Sequence, residues 1–286
     1  LEPDEPGRFH IPGATQVHPS YLEAGLKREN YYPFYNCPAD GNVLPPEQLH
    51  PALKHLGITP DSHVVIYGRE PDGTMAAARL AWGLLYAGVG TVSVLDGGID
   101  AWRRDGGPTA PIIATVWDPP ANRGRDASTA SRWQLRTEIL ATTTDVREIA
   151  AGAETSERLV DVRRRGEWDG SLTDYYCFYS QAGHIPGAIH QGNWDSLLDQ
   201  KTHKLRPRLK AVADRWRELG IIDRQVEAGE TTLVFYCGTG WRSSIGLLVS
   251  TLLGYRARNY DEGFYGWSWR DRNRVEAGMS FCSSPR

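Results

Sequence analysis

One short phrase is written twice in this chain: His10-Ile-Pro-Gly-Ala14 recurs unchanged as His184-Ile-Pro-Gly-Ala188. Two further marks follow each copy in the same order. Val64-Val-Ile-Tyr67 resembles Leu233-Val-Phe-Tyr236, and Asp96-Gly-Gly-Ile-Asp-Ala-Trp102 resembles Asp261-Glu-Gly-Phe-Tyr-Gly-Trp267. From His to Tyr is 57 residues in the first half and 52 in the second; from Asp to Trp is six in both. Three ordered matches are a poor product of chance, so the chain is two copies of one architecture. Its 286 residues suffice for two domains of ordinary size.

Each half alternates short β-branched runs with helical stretches, the pattern of a mainly parallel sheet covered by helices on both faces. The fold expected is α/β, in two tandem domains. In the first half the sequence predicts strands at Val64–Tyr67 and Thr91–Leu95, a helix over Met75–Ala87 and a short one around Ala101–Arg104. In the second it predicts a helix over Val146–Ala151 capped by Thr144-Asp145, a strand at Arg158–Val162 and a helix at Leu209–Leu219. A strand at Thr232–Tyr236 and a helix at Ser243–Leu253 follow. The domains expected are 1–107 and 134–286, joined by a Pro-, Ala-, Arg- and Ser-rich linker over 108–133 with one short strand at Ile112–Val116.

The halves are not equal at their beginnings. The second has a strand ending in Asp161-Val-Arg163, 23 residues before His184. The first has only the acidic, Pro- and Gly-rich Leu1–Phe9 before its copy. Either the sequence starts inside a domain, or another segment, from an upstream domain or a partner, completes that sheet.

The chemistry concentrates at Cys237-Gly-Thr-Gly-Trp-Arg242, between the Thr232–Tyr236 strand and a helix that opens on Ser243-Ser244. A cysteine at a strand C-terminus, in a Gly-rich loop that starts a helix, lies among converging backbone N–H groups and the positive end of the helix dipole. Such a site favours the thiolate and would also hold an anion bonded to that sulfur. The bland alternative, a buried thiol packing as a small hydrophobe, does not account for the glycines or Arg242.

Composition excludes several other readings. The formal charge is -3, which suggests no nucleic-acid partner and no acidic membrane surface. With 40% apolar residues, no segment approaches the length of a membrane span. Four cysteines at wide, irregular spacing (Cys37, Cys177, Cys237, Cys282) make no disulfide framework, and the eight histidines form no ligand-spaced cluster with them. The sequence implies no metal or organic cofactor. A Walker loop is missing. Cysteine phosphatases separate Cys from Arg by five residues; here four intervene, a ring better suited to sulfur than to phosphate. The compartment, cytoplasmic or periplasmic, stays open.

The repeat marks, the Asp-Val-Arg strand end and the cysteine loop together resemble the rhodanese superfamily of sulfurtransferases, over nearly the whole chain. Tyr236-Cys-Gly-Thr-Gly-Trp-Arg242 is similar to the last domain of bacterial multidomain sulfurtransferases of the YnjE type. The resemblance implies that Cys237 is the persulfide-forming nucleophile. The loop amides of Gly238, Thr239, Gly240, Trp241, Arg242 and Ser243 would wrap the sulfur, and Arg242 would close the loop. Asp161 and Arg163 match the pair at the end of the first strand. Glu167 matches a glutamate that pairs with the loop arginine, where thiosulfate- and mercaptopyruvate-specific enzymes place a substrate-binding arginine. Gly68 stands where Cys237 stands in the repeat, which makes the first domain catalytically silent. The expected reaction moves a sulfane sulfur from a small anionic donor, thiosulfate first and mercaptopyruvate second, to cyanide or a thiol. A relay module serving a protein partner, a phosphatase or arsenate-reductase-like enzyme and a non-catalytic scaffold are the alternatives. The aromatic insert Tyr175–Tyr179, with Cys177 as a trap for the persulfide, would border the cleft. His10 and His184 read as structural hydrogen-bonders in turns.

Overall fold

The computed structural model describes residues 9–24, 40–112, 132–153, 155–172, 181–269 and 273–276. The expectations for Tyr175–Tyr179, Cys37, Cys177 and Cys282 lie outside them. The described residues fall into two compact units that part between Arg136 and Thr137; residues 40–42 belong with the second. Arg136 donates its amide to the Tyr86 carbonyl, and Trp133 stacks on His50 at 4.7 Å. The end of the stretch read as a linker is therefore packed into the first unit.

The first unit holds β1 (Phe9–His10), α1 (Pro46–His55), β2 (His63–Ile66), α2 (Gly73–Ala87), β3 (Thr91–Val94), α3 (Gly98–Arg104) and β4 (Ala110–Pro111). β2 and β3 run parallel, pairing His63 with Thr91 through Ile66 with Val94. β1 and β4 form a separate antiparallel pair. β4 places Ala110 opposite His10 across the ladder. Of the short strand expected at Ile112–Val116, Ile112 is described and is not in a strand; 113–116 lie outside the described residues. α2 ends where Gly88 enters the left-handed region at φ 96°.

The second unit holds β5 (Leu140–Ala141), α4 (Thr143–Ala150), β6 (Glu157–Asp161), α5 (Arg165–Asp169), β7 (Ile189–His190), α6 (Leu209–Glu218), α7 (Arg224–Glu227), β8 (Thr232–Tyr236), α8 (Ser243–Leu252), β9 (Ala257–Tyr260) and α9 (Gly263–Ser268). Its five strands are all parallel, in the order β5-β9-β8-β6-β7. β8 lies in the middle and is apolar on both faces, as a strand covered from both sides must be. α8 approaches it closely because residue 246 is glycine: a Cβ there would stand 2.5 Å from the Phe235 ring. On one face Val146, Tyr260, Phe264 and Trp267 pack with Val234 and Tyr236. On the other, α6 turns Val212, Ala213 and Trp216 inward, and the Trp216 ring meets Phe235 at 5.5 Å.

Two boundaries differ from expectation for identifiable reasons. α4 is capped by Thr142, not by Thr144-Asp145. The Thr142 hydroxyl accepts from the Asp145 amide while the Asp145 carboxylate accepts from the Thr142 amide, a reciprocal box that starts the helix at Thr143 rather than Val146. β9 escapes sequence reading because Ala257-Arg-Asn-Tyr260 is no apolar run. Its Arg258 is neutralised by the Leu140 carbonyl, Asp145 and Glu157.

Candidate active site

β8 delivers Cys237 to the C-terminal edge of the five-stranded sheet, where ligands of parallel sheets gather. Cys237 is 1% exposed. Its carbonyl accepts from the Phe264 amide at 2.7 Å, and the Gly238 carbonyl accepts from Tyr265 at 2.9 Å, so the first turn of α9 fastens the start of the loop. That fastening needs Gly263, which sits at φ 59° and would otherwise place a Cβ 2.5 Å from the Gly238 carbonyl. Gly240, at φ 78°, bends the loop against Asp261, whose carboxylate would lie 2.5 Å from a Cβ.

The backbone donors of the loop are the unusual feature. Among the described residues, the amides of Gly238, Thr239, Gly240, Trp241 and Ser243 donate to no protein acceptor. All of these residues but Trp241 are buried. Buried N–H groups are almost always paired. A run of unspent donors at the start of α8, beside a sulfur, is a cradle for negative charge.

Beneath the sulfur lies a polar network that sequence reading missed in part. The Ser243 hydroxyl is 3.6 Å from Cys237 Sγ and donates to Asn259 Oδ1 at 2.6 Å. Asn259 Nδ2 in turn donates to the Gly240 carbonyl at 3.1 Å, and the Ser244 hydroxyl donates to that same carbonyl at 2.9 Å. Asn259 is fully buried on β9. The available signal was a polar residue two positions before the repeated Asp-x-Gly mark, where the first half has Val94.

Arg242 and Glu167 form a two-pronged ion pair, with Nη1–Oε2 2.7 Å and Nη2–Oε1 2.8 Å. The two side chains are 11% and 5% exposed. Burial opposes ionisation of Glu167. The hydrogen bonds and charge of Arg242, helped by Arg163, outweigh it and hold the carboxyl below the usual glutamate range. α5 presents Glu167 from its first turn, where the carboxylate also takes the Arg164 amide at 3.2 Å.

Asp161 and Arg163 lie inside the protein. Arg163 binds both carboxylate oxygens of Asp161 and donates to the Gly183 carbonyl at 2.7 Å. Its guanidinium rests 4.1 Å from the Phe264 ring centre. Tyr236 completes the cluster. Its hydroxyl accepts the Ile185 amide at 3.2 Å. Burial, with the charge of Asp161 nearby, pushes its acidity well below that of an ordinary tyrosine. His184 stacks on Trp168 at 3.5 Å and bonds the Trp168 carbonyl through Nδ1. This assembly ties the His-Ile-Pro-Gly turn to the end of β6. Thr239 is buried in the loop, and Trp241 is half-buried at its outer side.

Residues 2–105 and 142–269 both match the model of the rhodanese-like domain. The chain belongs to the rhodanese family. Thiosulfate sulfurtransferase YnjE of Escherichia coli K12 is 30% identical over 275 residues, which cover 94% of this chain and 56% of that protein. A thiosulfate sulfurtransferase of Mus musculus is 25% identical over 286 residues, covering 95% of this chain and 87% of the other. Among solved structures, EanB in complex with ergothioneine superposes with a TM-score of 0.75 at 28% identity, over 95% of this chain and 61% of that one. EanB has also been solved as a cysteine persulfide in a tetrahedral intermediate state with ergothioneine, with the same TM-score. The chain thus spans only a little over half the length of YnjE and about three fifths of EanB. Among the described residues no helix is long and apolar enough to cross a membrane.

Proposed function

We propose that this rhodanese is a sulfurtransferase that carries sulfane sulfur as a Cys237 persulfide and relays it from a persulfide donor to a nucleophilic acceptor. The unspent loop amides around Cys237 carry this reading: they are donors placed for a charge that the resting protein does not itself supply. In the first step the Cys237 thiolate attacks the outer sulfur of a donor persulfide. The donor's S–S bond breaks, its thiolate leaves with the electron pair, and Cys237–S–S⁻ forms. In the second step the acceptor attacks the outer sulfur, the new S–S bond breaks, and the Cys237 thiolate returns. Oxidation state is conserved overall, and the cycle is covalent catalysis by an activated cysteine. The amides of 238–243 stabilise the terminal sulfur. Ser243 can turn its hydroxyl from Asn259 to Sγ when the sulfur carries charge. Asp161, Arg163 and Glu167 act as positioning residues that hold the strand end and Arg242.

A relay suits the electrostatics better than a small dianionic donor does. Both terminal nitrogens of Arg242 are spent on Glu167, and Arg163 is buried on Asp161 and Gly183. The paired cations leave little net positive charge to hold a sulfonate. The solved persulfide form of EanB supports the same reading. Thiosulfate is the second reading, supported by the names of the YnjE and mouse relatives.

The test is an intact mass after incubation with a sulfane donor and desalting, with Cys237→Ser alongside. Loading by a low-molecular-weight persulfide, adding about 32 Da to the wild type only and removed by cyanide or thiol, is the expected result. Equally fast loading by thiosulfate replaces the relay with the second reading. No loading by any sulfane donor, with turnover of a phosphate or arsenate ester, overturns both.

A further inference from the structure

Asn259 is a polar side chain at a place where the fold itself needs an apolar one. It is fully buried on β9, a strand bonded on both sides, to β5 and to β8. Its counterpart in the first unit, two residues before the repeated Asp-x-Gly mark, is Val94 on β3. Burying an amide is costly unless its hydrogen bonds are made, so the partners of this one show what it does. Nδ2 donates to the Gly240 carbonyl at 3.1 Å. That carbonyl can only accept, which fixes the orientation of the amide group and leaves Oδ1 as the end that faces Ser243, 2.6 Å away. Oδ1 can only accept as well, so the single hydroxyl proton of Ser243 points at Asn259. Cys237 Sγ lies 3.6 Å from the same hydroxyl oxygen. One proton stands between two acceptors, the amide oxygen and the sulfur.

The first unit has neither acceptor. Counted from Gly68 as from Cys237, Thr74 takes the place of Ser243. Its hydroxyl donates to Glu70 at 2.7 Å, within its own loop, and the strand alongside offers Val94. The amide on the strand accompanies the thiol.

The charge on Sγ changes during sulfur transfer. In the thiolate, Sγ is anionic. In the persulfide it is bonded to carbon and to the outer sulfur and is neutral, while the charge sits on the outer sulfur. A hydroxyl bond to Sγ is therefore strong in the first state and weak in the second. We propose that Asn259 is a positioning residue that acts through Ser243: its Oδ1 takes the hydroxyl proton back when Sγ loses its charge, and so favours the persulfide over the thiolate. The inference rests on the reading of Cys237 as a sulfur carrier. The exchange concerned is Cys237–S⁻ + R–S–S⁻ ⇌ Cys237–S–S⁻ + R–S⁻. One S–S bond breaks, one forms, and the leaving thiolate takes the electron pair. The Ser243 proton turns between acceptors and is not transferred.

The test is the equilibrium of that exchange. The whole chain is equilibrated at one pH with mixtures of glutathione persulfide and glutathione. The ratio of persulfide to free Cys237 is read by intact mass, with Cys237→Ser as the baseline. Asn259→Val, which installs the first unit's residue, should lower that ratio about fivefold at a given mixture, the worth of one neutral hydrogen bond. The Gly240 carbonyl keeps its bond from the Ser244 hydroxyl at 2.9 Å, and a thermal melt reports the folding of the variant. Asn259→Leu, closer to asparagine in size, is the second variant and carries the same expectation. In a Ser243→Ala background neither replacement should move the ratio further, because the amide acts only through the hydroxyl. A general disturbance of the loop would move it in both backgrounds. An unchanged ratio in both variants, or an equal fall with and without Ser243, overturns the proposal while wild-type loading leaves the carrier reading intact. A wild type that takes up no sulfur from any sulfane donor removes the carrier reading, and this role with it.

Discussion

The two halves carry the same frame with opposite contents. Ile99 donates to the Gly68 carbonyl at 3.0 Å as Phe264 donates to that of Cys237 at 2.7 Å. Gly98 and Gly263 adopt the same left-handed conformation, at φ 56° and 59°. Each His-Ile-Pro-Gly turn hangs from a tyrosine hydroxyl at the end of the central strand. The divergence begins one residue further on. In the second unit the loop amides are unspent beside a thiol. In the first, residue 68 has no side chain, and Glu70 turns its own carboxylate to the start of α2, taking the Thr74 amide at 3.1 Å and the Thr74 hydroxyl at 2.7 Å. The first half has an internal anion near the helix start, where the other half has donors to spare. The turn and sheet geometry therefore belongs to the fold, and the capacity for chemistry lies in what the loop leaves unsatisfied.

The strongest way to break the comparison is to give the first half a thiol. Gly68→Cys should gain no sulfur, because a Cβ at 68 would overlap the Gly73 carbonyl, which belongs to the backbone and has no rotamer to yield. We expect it to destabilise the first unit by about 3 kcal/mol or more. Cys237→Ser should abolish persulfide formation with little change in folding. Intact mass and thermal melts read both. A Gly68→Cys protein that folds and loads sulfur would show the halves to be interchangeable.

Next in size is Glu167→Gln. Removing one partner of a buried ion pair costs about 3–5 kcal/mol, and the 5% exposure of Glu167 puts it in that class. The same change removes the carboxylate charge facing Arg242 and should raise the rate of loading from thiosulfate relative to a neutral persulfide. The pH dependence follows with a definite sign. The folded-state pKa of Glu167 lies below its unfolded value of 4.5, so its stabilising contribution is fully present above 4.5 and is lost as pH falls below it. Acid melts of Glu167→Gln should lack that part of the decline. An unchanged donor preference would detach Arg242 from substrate choice.

Much of this frame was legible beforehand because the repeat supplied it. The central strand, the cysteine loop and the pairing of Glu167 with Arg242 all follow from marks that recur or match a family. The sequence hid what depends on tertiary pairing. β9 has an arginine and an asparagine in four residues; its ladders with β8 and β5 make it a strand, and the carboxylates and carbonyl around Arg258 accommodate the charge. Arg163 matches the family pair at the end of the first strand, but that match does not reveal that its guanidinium is buried on Asp161. Asn259 differs from Val94 at the matching place of the repeat, but its role was hidden because its partners Ser243 and Gly240 are distant in sequence.

Ser243→Ala tests the network beneath the sulfur. A hydroxyl that turns to a charged sulfur is worth about 1.5–3 kcal/mol as a charge-assisted bond, so loading should slow by roughly tenfold or more. The thermal melt should move less than for Glu167→Gln. A full-rate Ser243→Ala enzyme would leave the loop amides as the sole stabilisers of the sulfur.

The smallest effect expected is the most specific to the comparison. If Glu70 serves as the first half's internal anion, Glu70→Ala should cost about 1 kcal/mol, the usual worth of a helix cap. The loss should fall on the first unit and leave sulfur loading at Cys237 unchanged. It should also uncover donors at the start of α2, so that added sulfate or phosphate partly restores the melt of Glu70→Ala without moving that of the wild type. Rescue by an anion would show that the first half keeps the donor geometry and fills it from within. Without rescue, the Glu70 contact is an ordinary cap, and the likeness between the halves ends at the backbone.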